Sequence, residues 1–311
     1  MSPEIENSRT LETIVPRRGY AMVLMVACSV VISFGGLIIR NIEVADALQI
    51  NFYRSISLIG AVMVILLIQY RRKTISHVVK IGVPGIIGGI VLAGAGIAFL
   101  QSMTHTTIAN SLFTMGTIPF ITAGLARIFL KEHLKRITII TMIMAGVGIF
   151  FMIAEGVSMG SGYGNAMAMV TAVCFASFTV IVRHNRGIDM LPSLLVSGVI
   201  IALISVLFRY GSLEIPIRDI LLCFLWGGVL SGFANWAFIL ATRHMVAAEV
   251  TLFMMLEFTL GPLWVWLFID EIPTWGTLVG GAIIIASVGV LTTSELRSQG
   301  KKLKRGRPSP T

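Results

Sequence analysis

Apolar residues gather in ten stretches separated by short polar turns, at about 20–39, 49–69, 79–101, 107–130, 137–154, 164–182, 191–210, 219–241, 246–269 and 275–293. A helix that crosses a bilayer needs roughly 20 predominantly apolar residues, and each stretch is near that length. The pattern therefore predicts an all-α integral membrane protein with ten transmembrane helices. The polar remainder forms an N-terminal segment (1–19), a Gly-rich linker (155–163) and a basic tail (294–311). Gly156, Gly160, Gly162 and Gly164 mark that linker as the loop between two five-helix halves, 20–154 and 164–293.

Composition agrees with the pattern and narrows the class. With 56% hydrophobic and 13% charged residues over 311 positions, and a mean hydropathy of +0.89, the chain has too little polar surface for a soluble globule. The connecting segments leave no room for a catalytic or nucleotide-binding domain. No Gly-x-x-x-x-Gly-Lys loop is present, which argues against an ATP-driven pump. No Ser-His-Asp arrangement, metal motif or phosphate loop gives an enzyme reading any support, and no cofactor is expected. Cys28, Cys174 and Cys223 show no paired or metal-ligand spacing and read as small apolar fillers.

The formal charge of +9 matters less than its distribution. If the chain alternates sides at each span, twenty of the 24 Lys and Arg residues fall on one side, from Arg9, Arg17 and Arg18 to the tail cluster Lys301–Arg307. Arg40, Arg209 and Arg218 fall on the other, and Arg54 lies inside a span. The positive-inside rule then puts both termini in the cytoplasm of a bacterial-type inner membrane. A basic tail beside a last span fixes orientation and meets anionic lipid, so nucleic acid is not an expected partner. The polar N-terminal segment lacks a small-residue cleavage pattern and reads as leading into a retained first helix.

The chain also repeats itself. Gly88/Gly227, Gly89/Gly228, Ala95/Ala234, Ala98/Ala237, Phe99/Phe238, His105/His244, Ala109/Ala248, Met115/Met254, Phe129/Phe268 and Glu132/Glu271 pair at a constant offset of 139 residues. With five spans between copies, the second copy is inverted in the membrane. Inverted repeats supply two pseudo-equivalent halves that rock about a midplane site, the usual construction of an alternating-access carrier. Small residues spaced by four, such as Gly85, Gly89 and Ala93, are read as helix-packing positions.

Two segments carry a family resemblance. The run Thr117-Ile118-Pro119 through Lys131-Glu132 resembles the fourth-helix signature of the EamA family in the drug/metabolite transporter superfamily, in which a Pro precedes a closing Glu by thirteen residues. Leu256-Glu257-Phe258 through Asp270-Glu271 is similar to the second-half version. Here Phe258 stands where Pro is common and Pro262 follows four residues later, leaving open where span nine breaks. Lys131 and Asp270 stand where that family usually has Gly. The resemblance extends over essentially the whole chain and implies a ten-helix inner-membrane carrier. It does not name a substrate, since the superfamily handles amino acids, other metabolites, nucleotide-sugars and drugs.

Candidate substrate-binding and coupling residues follow from polarity at depth. Glu257 lies halfway along span nine, where an ionised carboxylate is costly. It either faces a central cavity, exchanging a proton or pairing with a substrate amine, or locks the bundle through a fixed hydrogen bond. Arg54 sits about 8 Å inside span two; it either holds a substrate carboxylate, serves as counter-ion to Glu257, or snorkels to the interface. Asn51 shares its face. Span four carries Asn110, Thr114 and Thr117 at helical spacing after Thr107, and span eight carries Ser231, Asn235 and Thr242 with Trp236 beside them. These residues line a path or bond neighbouring helices. Trp264 either stacks a substrate or, like Trp266, joins the interfacial belt. His105, His244, Glu132 and Glu271 fall at span ends and are read as structural, the two acids as caps of the following helix.

The expected function is secondary transport of a small polar metabolite, amino-acid-like by preference and outward by resemblance. Spans one, three, four, six, eight and nine are expected to bound the cavity, with a proton as coupling ion through Glu257. The partners are a small-molecule solute and the lipid bilayer, and the protein is a monomer or homodimer. The rivals are uptake of an S-adenosylmethionine-type solute and a non-transporting sensor or partner subunit.

Overall fold

A computed structural model describes residues 3–153, 162–209, 212–269 and 274–305, with side chains described over 18–107, 110–152, 162–209, 212–268 and 274–297. Asp270, Glu271 and nearly all of the expected linker lie outside these ranges. The regular structure of the described residues is helical: α1 (Pro3–Ser33), α2 (Gly35–Arg40), α3 (Ala47–Tyr70), α4 (Thr74–Val79), α5 (Gly82–His105), α6 (Ile108–Met115), α7 (Ile118–Leu125), α8 (Arg136–Ile153), α9 (Gly162–His184), α10 (Ser193–Phe208), α11 (Ile217–Phe224), α12 (Gly232–Thr242), α13 (Ala247–Ile269) and α14 (Trp275–Arg305). Short π-helical segments, Ala126–Leu130 and Leu225–Ser231, follow α7 and join α11 to α12.

Eight segments are long and apolar enough to cross a membrane: Arg18–Arg40, Ala47–Val79, Gly82–His105, Asn110–Leu130, Gly162–His184, Ile217–Thr242, Ala247–Phe268 and Trp275–Arg297. Two further expected spans are apolar but shorter, α8 with 18 residues and α10 with 16. The many outward apolar side chains, such as Ile68, Ile128 and Leu207, make a surface suited to lipid and not to water. The chain is a multi-pass integral membrane protein.

Interruptions occur where the sequence weakens the helix. α1 gives way to α2 at Phe34, between Ser33 and the pair Gly35-Gly36. α6 stops at Gly116, and Pro119 sits in the first turn of α7, where its missing N–H costs nothing. The following π segment ends on Lys131, which adopts a left-handed φ of 55°. That conformation is free for Gly and costly for other residues, so Lys131 holds a position that Gly would occupy without strain. α13, by contrast, runs unbroken past Pro262. The cost there is one bond, since Pro262 has no N–H to offer the Phe258 carbonyl.

Helix packing respects the twofold division of the sequence. α5 packs on α9 as α12 packs on α1; α10 packs on α5 as the second π segment packs on α3; α13 packs on α1 as α6 and α7 pack on α9. α3 meets α10 and α8 meets α14, each helix on its own counterpart. Glycines permit the closest of these approaches. Gly227 lies against the Arg54 carbonyl of α3, and Gly280 of α14 against the Gly148 carbonyl of α8.

Candidate functional site

A cavity of about 200 Å³ occupies the middle of the bundle. α3 lines it with Asn51, Arg54, Ser55 and Leu58, positions i, i+3, i+4 and i+7 of one helical face. α13 contributes Thr251, Met254, Met255 and Phe258 with the same spacing, and Glu257 at the edge of that face. α1, α5, α6 and α7, α9, the second π segment and α12 complete the wall, together with Ser197 and Ile201 of α10. Spans two and seven thus join the six expected to bound the cavity. Most of the wall is apolar, with Phe99, Phe175 and Phe238 among its larger residues.

Two charges face this space from different halves of the chain. Glu257 lies ten residues into α13, about 15 Å along its axis, and Arg54 lies seven into α3, about 10 Å. Both border the cavity and each lies within the other's field, yet no direct ion pair joins them among the described residues. The Arg54 guanidinium instead lies 4.4 Å from the centroid of the Trp226 ring, a cation–π distance. Asn51 Nδ2 and Ser231 Oγ, of residues on the same cavity wall, are buried without a hydrogen-bond partner. Asn235, also on the wall, donates from Nδ2 to the Ser231 carbonyl at 2.8 Å.

Trp226 is the residue that sequence reasoning did not select. Along α12 the cavity face reads Ser231, Ala234, Asn235 and Phe238, and an uninterrupted α-helix would continue it to residue 227 or 228. The π segment Leu225–Ser231 adds a residue to the turn, so the next position on that face is Trp226. Gly227 and Gly228 are turned onto α3, where a Cβ would meet the Arg54 backbone and the Ser57 side chain. The Gly-Gly pair after a Trp was the available signal, and it reads in isolation as ordinary helix packing.

The remaining candidates lie elsewhere. Asn110 donates to Thr106 Oγ1 at 3.3 Å, and that hydroxyl in turn donates to Asn165 Oδ1 of α9 at 2.9 Å. Thr114 and Thr117 return their hydroxyls to the Asn110 and Thr114 carbonyls. None of the three borders the cavity, although Met115, Ile118 and Pro119 of the same span do. Trp236 packs against Phe233. Trp264 braces the α1–α2 break, donating from Nε1 to Ser33 Oγ at 2.8 Å and stacking on Phe34 with centroids 4.5 Å apart.

Both ends of the bundle carry polar ties between the halves. At the Arg18 end, Arg18 bonds both Glu249 oxygens at 3.1 and 2.8 Å and lies 3.1 Å from Glu295. Lys135 also holds Glu295, and Thr138 donates to Glu249. Glu132 accepts from Arg183 Nε at 2.8 Å and from the Ala247 N–H at 3.3 Å. It therefore caps α13 and not the helix that follows it in sequence. At the Arg40 end, Arg209 pairs with Asp46 and Arg218 with Glu43. Asp219 accepts from the Val44 and Ala45 N–H groups, and Gln49 donates to the Ser212 and Glu214 carbonyls.

A multi-pass bundle with an internal cavity walled by both halves, and closed by ties at each end, is the construction of a membrane transporter. The chain belongs to the EamA-like transporter family, whose model matches it twice, over residues 19–154 and 162–293. It is 29% identical over 140 residues to the "Uncharacterized transporter YyaM" of Bacillus subtilis (strain 168), a match covering 41% of this chain and under half, 44%, of that relative. A protein crystal structure superposes with a TM-score of 0.72 over 89% of this chain and 98% of its own, at 16% identity, a likeness of fold alone.

Proposed function

We propose that the protein is a secondary carrier that moves a small polar, amino-acid-like metabolite outward across the inner membrane. The two five-helix halves, 20–154 and 164–293, are inverted with respect to each other and alternately open the central cavity to either side. Both termini are cytoplasmic in this reading, in keeping with the side bias of Lys and Arg. The observation that carries it is the pair of unmatched opposite charges, Arg54 from one half and Glu257 from the other, bordering one cavity. Charged side chains at mid-depth in a membrane protein mark substrate or ion pathways. A solute with an acidic and a basic group satisfies both, and Glu257 carries the coupling proton in its absence.

Flux of labelled amino acids and related metabolites into proteoliposomes, with and without an imposed proton gradient, tests the proposal. One solute class should move saturably and faster with the gradient. Glu257→Gln should abolish the response to the gradient. Transport by Glu257→Gln at the wild-type rate over the full range of imposed gradients would sink the coupling role. Purified protein that moves no member of the panel would sink the carrier reading.

A further inference from the structure

We propose that Arg54, Asn51 and Ser231 form a subsite for one carboxylate group of the transported solute, with Trp226 as the residue that positions the guanidinium. The proposal rests on the carrier reading, and it specifies the chemistry of one pole of the cavity. Three donors border the cavity without an acceptor of their own. Asn51 Nδ2 and Ser231 Oγ are buried and unpartnered, and leaving such groups unmade is expensive unless something else accepts from them. Arg54 forms no ion pair among the described residues and is the sole cationic side chain on the cavity wall. An acceptor with two oxygens supplies what all three lack.

The local backbone sets Asn51 beside Arg54 on one element and Trp226 in line with Ser231 on the facing one. Asn51 and Arg54 are three residues apart on α3 and share a face. Trp226 and Ser231 are five apart, one π-helical repeat, and share a face only because the segment is π-helical. Gly227 and Gly228 let that segment touch the α3 backbone at Arg54 and the side chain of Ser57. With one face of the guanidinium on the indole ring, its edge N–H groups remain as a planar fork, the arrangement that suits a carboxylate. One guanidinium offsets one negative charge, so a carboxylate fits better than a phosphate dianion. The Glu257 pole then faces the remainder of the solute.

Equilibrium binding to the purified full chain tests this without requiring transport. The probes are matched acid and amide pairs: L-alanine, L-leucine and L-phenylalanine against their carboxamides, with 3-phenylpropionate and phenyl phosphate alongside. Thermal stabilisation and tryptophan emission report occupancy. At least one acid should bind about tenfold or more tighter than its amide, because a charge-assisted fork is lost in the amide. Arg54→Gln should erase that preference without abolishing binding of the amide, and Arg54→Lys should restore only part of it. Trp226→Leu should weaken the acid by a larger factor than the amide, a split that loss of packing alone would not produce.

Equal binding of acid and amide by the wild type overturns the subsite, as do tighter binding of phenyl phosphate, retention of the preference in Arg54→Gln, or failure of every acid to bind. The wild-type comparison decides even if a variant fails to fold. Arg54-dependent acid binding with no flux would sink the carrier reading alone. Flux indifferent to the carboxylate would sink the subsite alone.

Discussion

Replacing Gly227 by Ala should destabilise the protein even though alanine is the better helix former. A Cβ built there lands on the Arg54 carbonyl oxygen, with the Arg54 carbonyl carbon and Cα each at 2.8 Å, whereas ordinary contact begins at 3.4 Å. Every atom in the way is backbone, so no rotamer change relieves the clash. α3 and the π segment must move apart by an amount on the order of 1 Å, and overpacking of this kind costs about 1–3 kcal/mol. The usual Gly-to-Ala gain in a helix, about 0.5–1 kcal/mol, offsets part of it, leaving a net loss of about 0.5–2 kcal/mol. Gly60, on α3 itself, has nothing within 4 Å of its built Cβ. The same substitution there should stabilise by about 0.5–1 kcal/mol. Thermal unfolding of both variants in one detergent at one scan rate provides the comparison. The two midpoints should move in opposite directions, and Gly227→Ala should also narrow the acid-over-amide preference as Trp226 leaves Arg54. A Gly227→Ala midpoint at or above wild type would refute the reasoning.

Two further substitutions test the local energetics. Lys131→Gly should raise the unfolding midpoint by the equivalent of about 0.5–1 kcal/mol, because an exposed Lys at φ 55° carries a left-handed cost of about 1–2 kcal/mol, less the entropy glycine adds; an unchanged or lower midpoint would refute it. Glu249→Gln should destabilise by about 1–3 kcal/mol, below the usual cost of breaking a buried pair because Arg18 is 22% exposed and keeps Glu295. The double variant with Arg18→Gln should then lose less than the sum of the two singles, and strict additivity would count against the pair.

Much of the fold was legible because a hydrophobic span declares itself by length alone. The stretch 246–269 became α13 at Ala247–Ile269, and 137–154 became α8 at Arg136–Ile153. Depth likewise picked out Arg54 and Glu257, since charge inside a span has few inexpensive placements. The stripe on span four did not translate into lining, because Thr hydroxyls in a helix can satisfy themselves on carbonyls three or four residues back. Thr114 and Thr117 do so, and helical spacing alone does not separate that outcome from a wet face. Nothing local announces a π segment, so Trp226 was out of register with any α-helical projection. The partners of Glu249 were equally hidden, with Arg18 lying 231 residues away in sequence.

The ties at the two ends differ in medium, and that difference bears on how the halves separate. The Glu249 and Glu295 side chains are 2% and 3% exposed, whereas Asp46 and Glu43 at the Arg40 end are 53% and 66% exposed. Exposed pairs contribute about 0–1 kcal/mol each, while a buried carboxylate stripped of its cation is far more costly. Asp219 is buried at the Arg40 end, but it accepts from neutral amides of the loop before α3. In the proposed carrier, opening at the Arg40 end would therefore meet less resistance than opening at the Arg18 end. A solute passing the Arg18 end would have to loosen the Glu249 tie in that carrier, and α13 is the element that reaches both places. Glu249 and Glu257 stand eight residues apart on it, about 12 Å, and Pro262 lies beyond Glu257, not between them. The intervening turns keep their bonds, so under the proposed carrier reading an axial shift of α13 on binding at Glu257 would be delivered directly to the Arg18 contact.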